Sequence, residues 1–155
     1  MKRYRTTRRV RQNADDMFAL VADVERYPEF VPLCAAMSVL SREPLENGGE
    51  EITARMTAAY KAVSETFTSR VVTDPDANVI TVEYLDGPFQ HLENRWSFKP
   101  LGERRCEVDF FIAYQFRSRA LELLMGAMFD RAFRKFAEAF EARANALYGM
   151  HRARG

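Results

Sequence analysis

The sequence predicts one α+β domain in which a curved antiparallel sheet wraps around a long C-terminal helix. Three observations lead there. Residues 34–116 alternate apolar and polar side chains through about six successive segments, as half-buried strands do. Turn sequences such as Asn47-Gly48-Gly49, Asp74-Pro75-Asp76 and Gly87-Pro88 separate these segments, so neighbours in sequence should pair antiparallel. After Ser118 the apolar period changes from two to between three and four residues and holds for about eight turns.

The elements follow in order. Residues 2–11 read as a strand, with Arg3, Arg5, Arg9 and Arg11 on one face beside Thr7, and Tyr4, Thr6 and Val10 on the other. Asn13 suits a helix N-cap, with Asp15 and Asp16 in the first turn and Met17, Phe18, Leu20 and Val21 on the apolar side. Pro28 and Pro32 limit the next segment to a helical turn and an extended entry to a strand. In the meander, Ile52, Ala54, Met56, Ala58 and Tyr60 share one face. So do Val63, Glu65, Phe67 and Val71; Leu92, Asn94, Trp96 and Phe98; and Val108, Phe110, Ile112, Tyr114 and Phe116. Ser118 caps the last helix, whose stripe is Leu121, Leu124/Met125, Met128/Phe129, Ala132/Phe133, Phe136, Phe140, Ala144 and Leu147/Tyr148, with Gly149 as the stop. The domain spans 1–149, and 150–155 reads as a frayed tail.

Composition excludes several classes. At 155 residues the chain is one domain. Its longest nearly apolar stretches are about ten residues, short of the roughly 20 of a membrane helix. No apolar segment follows the basic start, against a secretory signal. Twelve Phe, six Tyr and one Trp argue against disorder. Cys34 and Cys106 form no CxxC or disulfide pattern, which suits a reducing compartment and buried thiols. With His91 and His151 as the only histidines, no metal-ligand spacing arises, and GxGxxG, P-loop and GxSxG signatures are missing.

The sheet-side candidates for the interior are Met56, Phe67, Trp96, Phe98, Phe110, Ile112 and Tyr114. The helix contributes Met125, Met128, Phe129, Phe133 and Phe136. A packed core and a cavity for a flat or greasy ligand both fit this set, since methionine adapts to irregular apolar surfaces.

Several segments carry a resemblance: Asp23 to Cys34 (DVERYPEFVPLC), Gly87-Pro88-Phe89 with Leu92 to Pro100 (LENRWSFKP), Val108 to Ser118, and Ala139 to Gly149. Together they resemble the coenzyme Q-binding START-like family of the helix-grip fold, which also includes the ribosome-association toxin RatA and proteins labelled polyketide or oligoketide cyclases. The resemblance covers nearly the whole chain. It implies a hydrophobic tunnel that binds ubiquinone or a similar isoprenoid lipid and supports respiratory electron transfer by carriage, with no required cofactor. Family motif positions that the resemblance assigns to ligand contact are Pro28, Phe30, Val31, Pro32, Phe89, Leu92, Trp96, Phe98, Phe110 and Phe116. Met125, Met128, Phe129 and Phe133 join them by periodicity. Donors for the quinone carbonyls are Trp96, Asn94 and Tyr114, although the Trp96 N–H bonded to backbone is an equal alternative.

Two further functions stay open. One is a RatA-like action on ribosomal subunits. The other is cyclase chemistry, which needs an acid or base from Arg55, Tyr60, Arg95 or Tyr114; the alternation turns Arg55 and Arg95 to solvent, so no enzyme is expected. The formal charge of +1 hides six cations and no acid in residues 1–11, leaving −5 on the rest. Lys2, Arg3, Arg5, Arg8, Arg9 and Arg11 suit anionic lipid headgroups or RNA phosphates, or a strand neutralised by acids elsewhere in the fold. The expected setting is a monomer in the bacterial cytoplasm, peripheral at the inner membrane, or at the matrix face in a eukaryote.

Overall fold

A computed structural model describes residues 1–149. The tail expected over 150–155, with His151, lies outside the described residues.

Strand β1 (Lys2–Val10) leads to helix α1 (Ala14–Ala22) and a 3₁₀ segment (Val24–Glu29). The meander follows: β2 (Cys34–Pro44), β3 (Glu50–Tyr60), β4 (Val63–Asp74), β5 (Val79–Asp86), β6 (Phe89–Gly102) and β7 (Arg105–Phe116). Helix α2 (Arg119–Ala144) closes the chain, with one wider π turn over Asn145–Gly149. The seven strands form one antiparallel sheet in the order β1-β7-β6-β5-β4-β3-β2. The α+β helix-grip architecture read from the sequence is therefore the observed one.

Local chemistry sets the element ends. The Asn13 side chain accepts a hydrogen bond from the Asp16 backbone N–H at 2.7 Å and starts α1. The Ser118 hydroxyl accepts from the Leu121 N–H at 3.2 Å and starts α2. Register shifts in β2, between β4 and β5 at Thr68/Ser69, and between β6 and β7 bend the sheet. The bend lets one face close over α2, whose buried side is Met125, Gly126, Phe129, Ala132, Phe133, Ala137, Phe140 and Ala144.

Gly87 shows how tightly the sheet is drawn. Its φ is +147°, and a Cβ placed there would stand 2.4 Å from the Cβ of Phe67. Only glycine fits that approach.

Two details differ from the sequence reading. Leu124 was expected on the buried stripe and is 63% exposed, beside Leu123 at 83%. Leu121 and Met125 hold the core side of the first turns of α2, so Leu123 and Leu124 fall on the outer side. At the other end the widening at Asn145 rotates the face, and Leu147 is exposed.

The first strand is largely neutralised. Arg8 points inward and donates from Nε and Nη2 to Glu141 Oε1 at 2.9 and 2.5 Å. Arg5 lies 3.7 Å from Asp109 and Arg9 lies 3.9 Å from Glu107, both on the neighbouring β7. For Arg5, Arg8 and Arg9 these contacts support the reading of a strand neutralised by acids elsewhere in the fold.

Candidate functional site

A partly open cavity of about 80 Å³ lies between the sheet and α2. Its roof is Phe129, Ala132, Phe133, Phe136 and Phe140, one stripe of the helix. Its floor takes Ala54, Met56 and Ala58 from β3, Phe67, Ser69 and Val71 from β4, Val82 from β5, Leu92, Asn94 and Trp96 from β6, and Ile112 from β7. Val24, Tyr27, Pro32, Leu33 and Met37 close one side. The space falls where facing elements present small side chains, namely Ala54, Ala58 and Ala132.

The lining is almost wholly apolar, with Ser69, Asn94, Tyr27 and the Trp96 indole as its polar members. The Asn94 amide donates one N–H to the Phe111 carbonyl at 2.9 Å, which fixes its orientation and leaves a second N–H. The Trp96 indole N–H is the other side-chain donor on this wall. Asn94 and Trp96 are two apart on one strand, about 7 Å at the usual rise, and point the same way. The Tyr27 hydroxyl is committed to the Val21 carbonyl, and burial holds its pKa far above the usual tyrosine range.

Of the residues assigned from sequence to the interior or to ligand contact, Pro32, Met56, Phe67, Leu92, Asn94, Trp96, Ile112, Phe129, Phe133 and Phe136 line this cavity. The others do not. Pro28 is exposed on the 3₁₀ segment. Phe30 packs on Tyr27 and Phe140 under the Arg143 guanidinium. Val31 is buried in the core. Phe89 sits amid Phe67, Tyr84, Tyr114, Phe116 and Phe129 as the centre of a ring cluster that plugs one end. Phe98 is held between Phe18 and Trp96, and Phe110 between Tyr4, Trp96 and Phe136. Tyr114 packs on Phe89 and Phe133, and Phe116 on Phe89 and Phe129. Met125 is fully buried outside the lining. Met128 lines a separate outer hollow.

Strand alternation identifies the inner face and carries no information on distance along the strand. Residues on the right face but beyond the void therefore became core. The Tyr114 hydroxyl is likewise no donor to the cavity; it is buried without a hydrogen bond, and burial beside Asp130 pushes its pKa up to about 12. Sequence reasoning missed Ala54, Ala58 and Ala132, whose signal was small size on an inward face, and Tyr27, Leu33 and Met37, which a periodic reading of loops and edges does not reach.

A hollow of about 150 Å³ lies outside the cavity, lined by Pro32, Leu33, Tyr60, Met128, Arg131, Ala132 and Lys135. Pro32, Leu33 and Ala132 line both spaces and form the partition between them. Leu33 has φ +68°, a left-handed conformation unusual for leucine. Its carbonyl accepts from the Ala59 N–H at 2.9 Å, which pins the loop to the end of β3.

Cys34 and Cys106 are free and buried, with thiols pushed up to about 11 by burial. Among the described residues no group of three or more His, Cys, Asp or Glu is placed to hold a metal ion. No described helix is long and apolar enough to cross a membrane.

Known proteins with this sequence and shape agree on a lineage. The family described as polyketide cyclase / dehydrase and lipid transport matches residues 10–141. The ribosome association toxin RatA of Vibrio cholerae (strain O395) is 34% identical over 149 residues, covering 96% of this chain and 99% of that protein. The mitochondrial coenzyme Q-binding protein COQ10 homolog B of Xenopus laevis is 32% identical over 139 residues, 87% of this chain and 54% of that protein. An 18 kDa Caulobacter crescentus protein solved in solution is 36% identical with a TM-score of 0.76, covering 96% of this chain and 99% of that one. A START superfamily protein of Mycobacterium smegmatis shares the fold at a TM-score of 0.77 and 21% identity, covering 94% and 98%.

Proposed function

Because this chain belongs to the polyketide cyclase / dehydrase and lipid transport family, we propose that it holds ubiquinone or a similar isoprenoid lipid between its sheet and its long helix. It acts as a carrier that supports respiratory electron transfer. The observation that carries this reading is the apolar cavity with two donors, Asn94 and Trp96, on one wall. An isoprenoid tail offers only apolar area, at about 25 cal/mol per Å² buried, and asks for no polar partner. A quinone ring adds two carbonyl acceptors, and the second N–H of Asn94 and the indole N–H of Trp96 suit them.

The cavity is smaller than the roughly 300–1,000 Å³ of most small-molecule sites. Loading therefore needs the walls to move. Met37 and Met56 supply unbranched, flexible side chains there, and the thin partition at Pro32, Leu33 and Ala132 is the natural way in.

Carriage suits the lining better than catalysis does. Tyr27 is its one ordinarily titratable side chain among the described residues, and its proton is held by a backbone carbonyl. Arg55 and Arg95 are exposed on the outer face of the sheet, so neither serves as an acid or base at the cavity.

Extraction of the protein from a quinone-producing host, followed by mass spectrometry, tests the reading. Co-purifying quinone supports it; no quinone and no uptake of any ubiquinone homologue overturns it. The second reading is a ribosome-directed role, favoured by the near full-length likeness to the Vibrio cholerae toxin. Loss of assembled ribosomes in sucrose gradients after overexpression would select it.

A further inference from the structure

We infer that the rim of the outer hollow is a docking surface for anionic phospholipid bilayers. The inference rests on the carrier reading for its purpose and on the rim's own chemistry for its occupant.

Three cations frame the hollow. Arg131 and Lys135 line it from α2, and Lys61 stands at the β3–β4 turn with its ammonium 5.3 Å from the ring centre of Tyr60. All three are exposed, and among the described residues none has an acidic partner. Among the described residues no acid lines the hollow. The nearby Glu122 of α2 lines a different recess, beside Met1 and Lys2.

Apolar groups stand among these cations. Leu124, Met128, Arg131 and Lys135 recur at four, three and four residues, so they form one stripe of α2. Leu124 is 63% exposed, Leu123 beside it 83%, and Tyr60 across the hollow 45%. Two adjacent exposed leucines at a helix start, next to lysine and arginine, have the composition of a segment that lies at a lipid–water boundary. An adjacent leucine pair carries no aromatic ring and so lacks a stacking platform for bases. It suits an apolar lipid boundary, so the pair favours a lipid surface over RNA.

This surface is not the first strand, whose Arg5, Arg8 and Arg9 already face acids. It lies where a membrane lipid would have to enter, outside the partition at Pro32, Leu33 and Ala132.

Co-sedimentation with vesicles of phosphatidylcholine alone, or with one quarter phosphatidylglycerol, tests the inference on the full chain. The wild type should pellet with the anionic vesicles only. Arg131→Glu with Lys135→Glu should lower the affinity at least about 25-fold, at about fivefold for each basic residue removed, before the repulsion of the two added carboxylates. Leu123→Ser with Leu124→Ser should lower it as well. Lys99→Glu with Arg105→Glu, an equal charge change at the opposite end of the sheet, should leave it unchanged. Wild type left in the supernatant, or mouth variants that match the distal pair, overturns the inference. So does binding to polyuridylate that falls with the arginine–lysine pair while vesicle binding does not. Ubiquinone uptake from detergent micelles, measured in parallel, separates the two claims. Vesicle binding without uptake sinks the carrier reading and leaves the docking surface standing. Uptake that persists in variants blind to vesicles supports both.

Discussion

Trp96 and Phe140 meet edge to face, with ring centroids 4.8 Å apart at 68°, and both rings line the cavity. This contact ties the middle of β6 to the C-terminal half of α2. It makes the indole at once a wall of the site and part of the core.

Substitutions at Trp96 should separate those two parts. Trp96→Ala removes contacts to Phe98, Phe110 and Phe140 and should cost about 3–5 kcal/mol in urea unfolding. Trp96→Phe keeps an aromatic ring, should cost about 1–2 kcal/mol, and removes the N–H. Its affinity for ubiquinone, read by calorimetry, should fall about fivefold, the worth of one net hydrogen bond. Unchanged affinity would remove the indole N–H from the site.

Filling the void should block binding while sparing the fold. Ala54 is buried on β3 and faces the cavity. Ala54→Leu should move the melting temperature by only a few degrees, because the added carbons enter existing space. Ubiquinone uptake should drop at least tenfold. Full uptake with an intact fold would place the ligand elsewhere.

The inward Arg8 links the first strand to α2 through Glu141. Glu141→Gln should reduce stability by about 1 kcal/mol, since the pair is charged but half-exposed. Arg3→Ala, on the exposed face of the same strand, should stay within about 0.5 kcal/mol. Equal effects would show that the whole strand behaves as a solvated basic face.

Alkali should weaken the fold in a defined window. Burial raises Cys34 and Cys106 from 9.0 to about 11, so the native state favours the neutral thiols. Their contribution is complete below pH 9 and is lost as pH rises toward 11, because the unfolded chain ionises first. Each thiol is worth on the order of 2 kcal/mol over that interval. Melting temperatures at pH 7.5, 9, 10 and 11 should be level up to 9 and then decline. The decline should be shallower in Cys34→Ala with Cys106→Ala. A slope identical in that variant would assign the effect to the tyrosines, Tyr114 among them.

The fold was legible because its signals are local. Periods of two and of three to four, the Asn13 and Ser118 caps, and the glycine and proline turns are each set by near neighbours. The cavity was legible only in part, because a void depends on residues meeting from six strands and a helix. Trp96 and Phe129 could be named since both the motif and the period point inward. Phe110 and Met125 satisfied the same rule and turned out to be packing. Ala54 and Ala132 were passed over, as a small side chain gives no sign of whether a neighbour fills the gap it leaves. The readings left open for the charge of the first strand could not be separated from sequence, because the acids that answer Arg5 and Arg9 lie about a hundred residues away, on β7.

Trp96 is the chain's single tryptophan, so its fluorescence reports on the cavity alone. Titration with a short-tailed ubiquinone should quench it saturably at one quinone per chain, and Ala54→Leu should abolish the saturable part. Quenching that rises linearly, as for free tryptophan, and is the same in both proteins would contradict a quinone site between the sheet and the long helix.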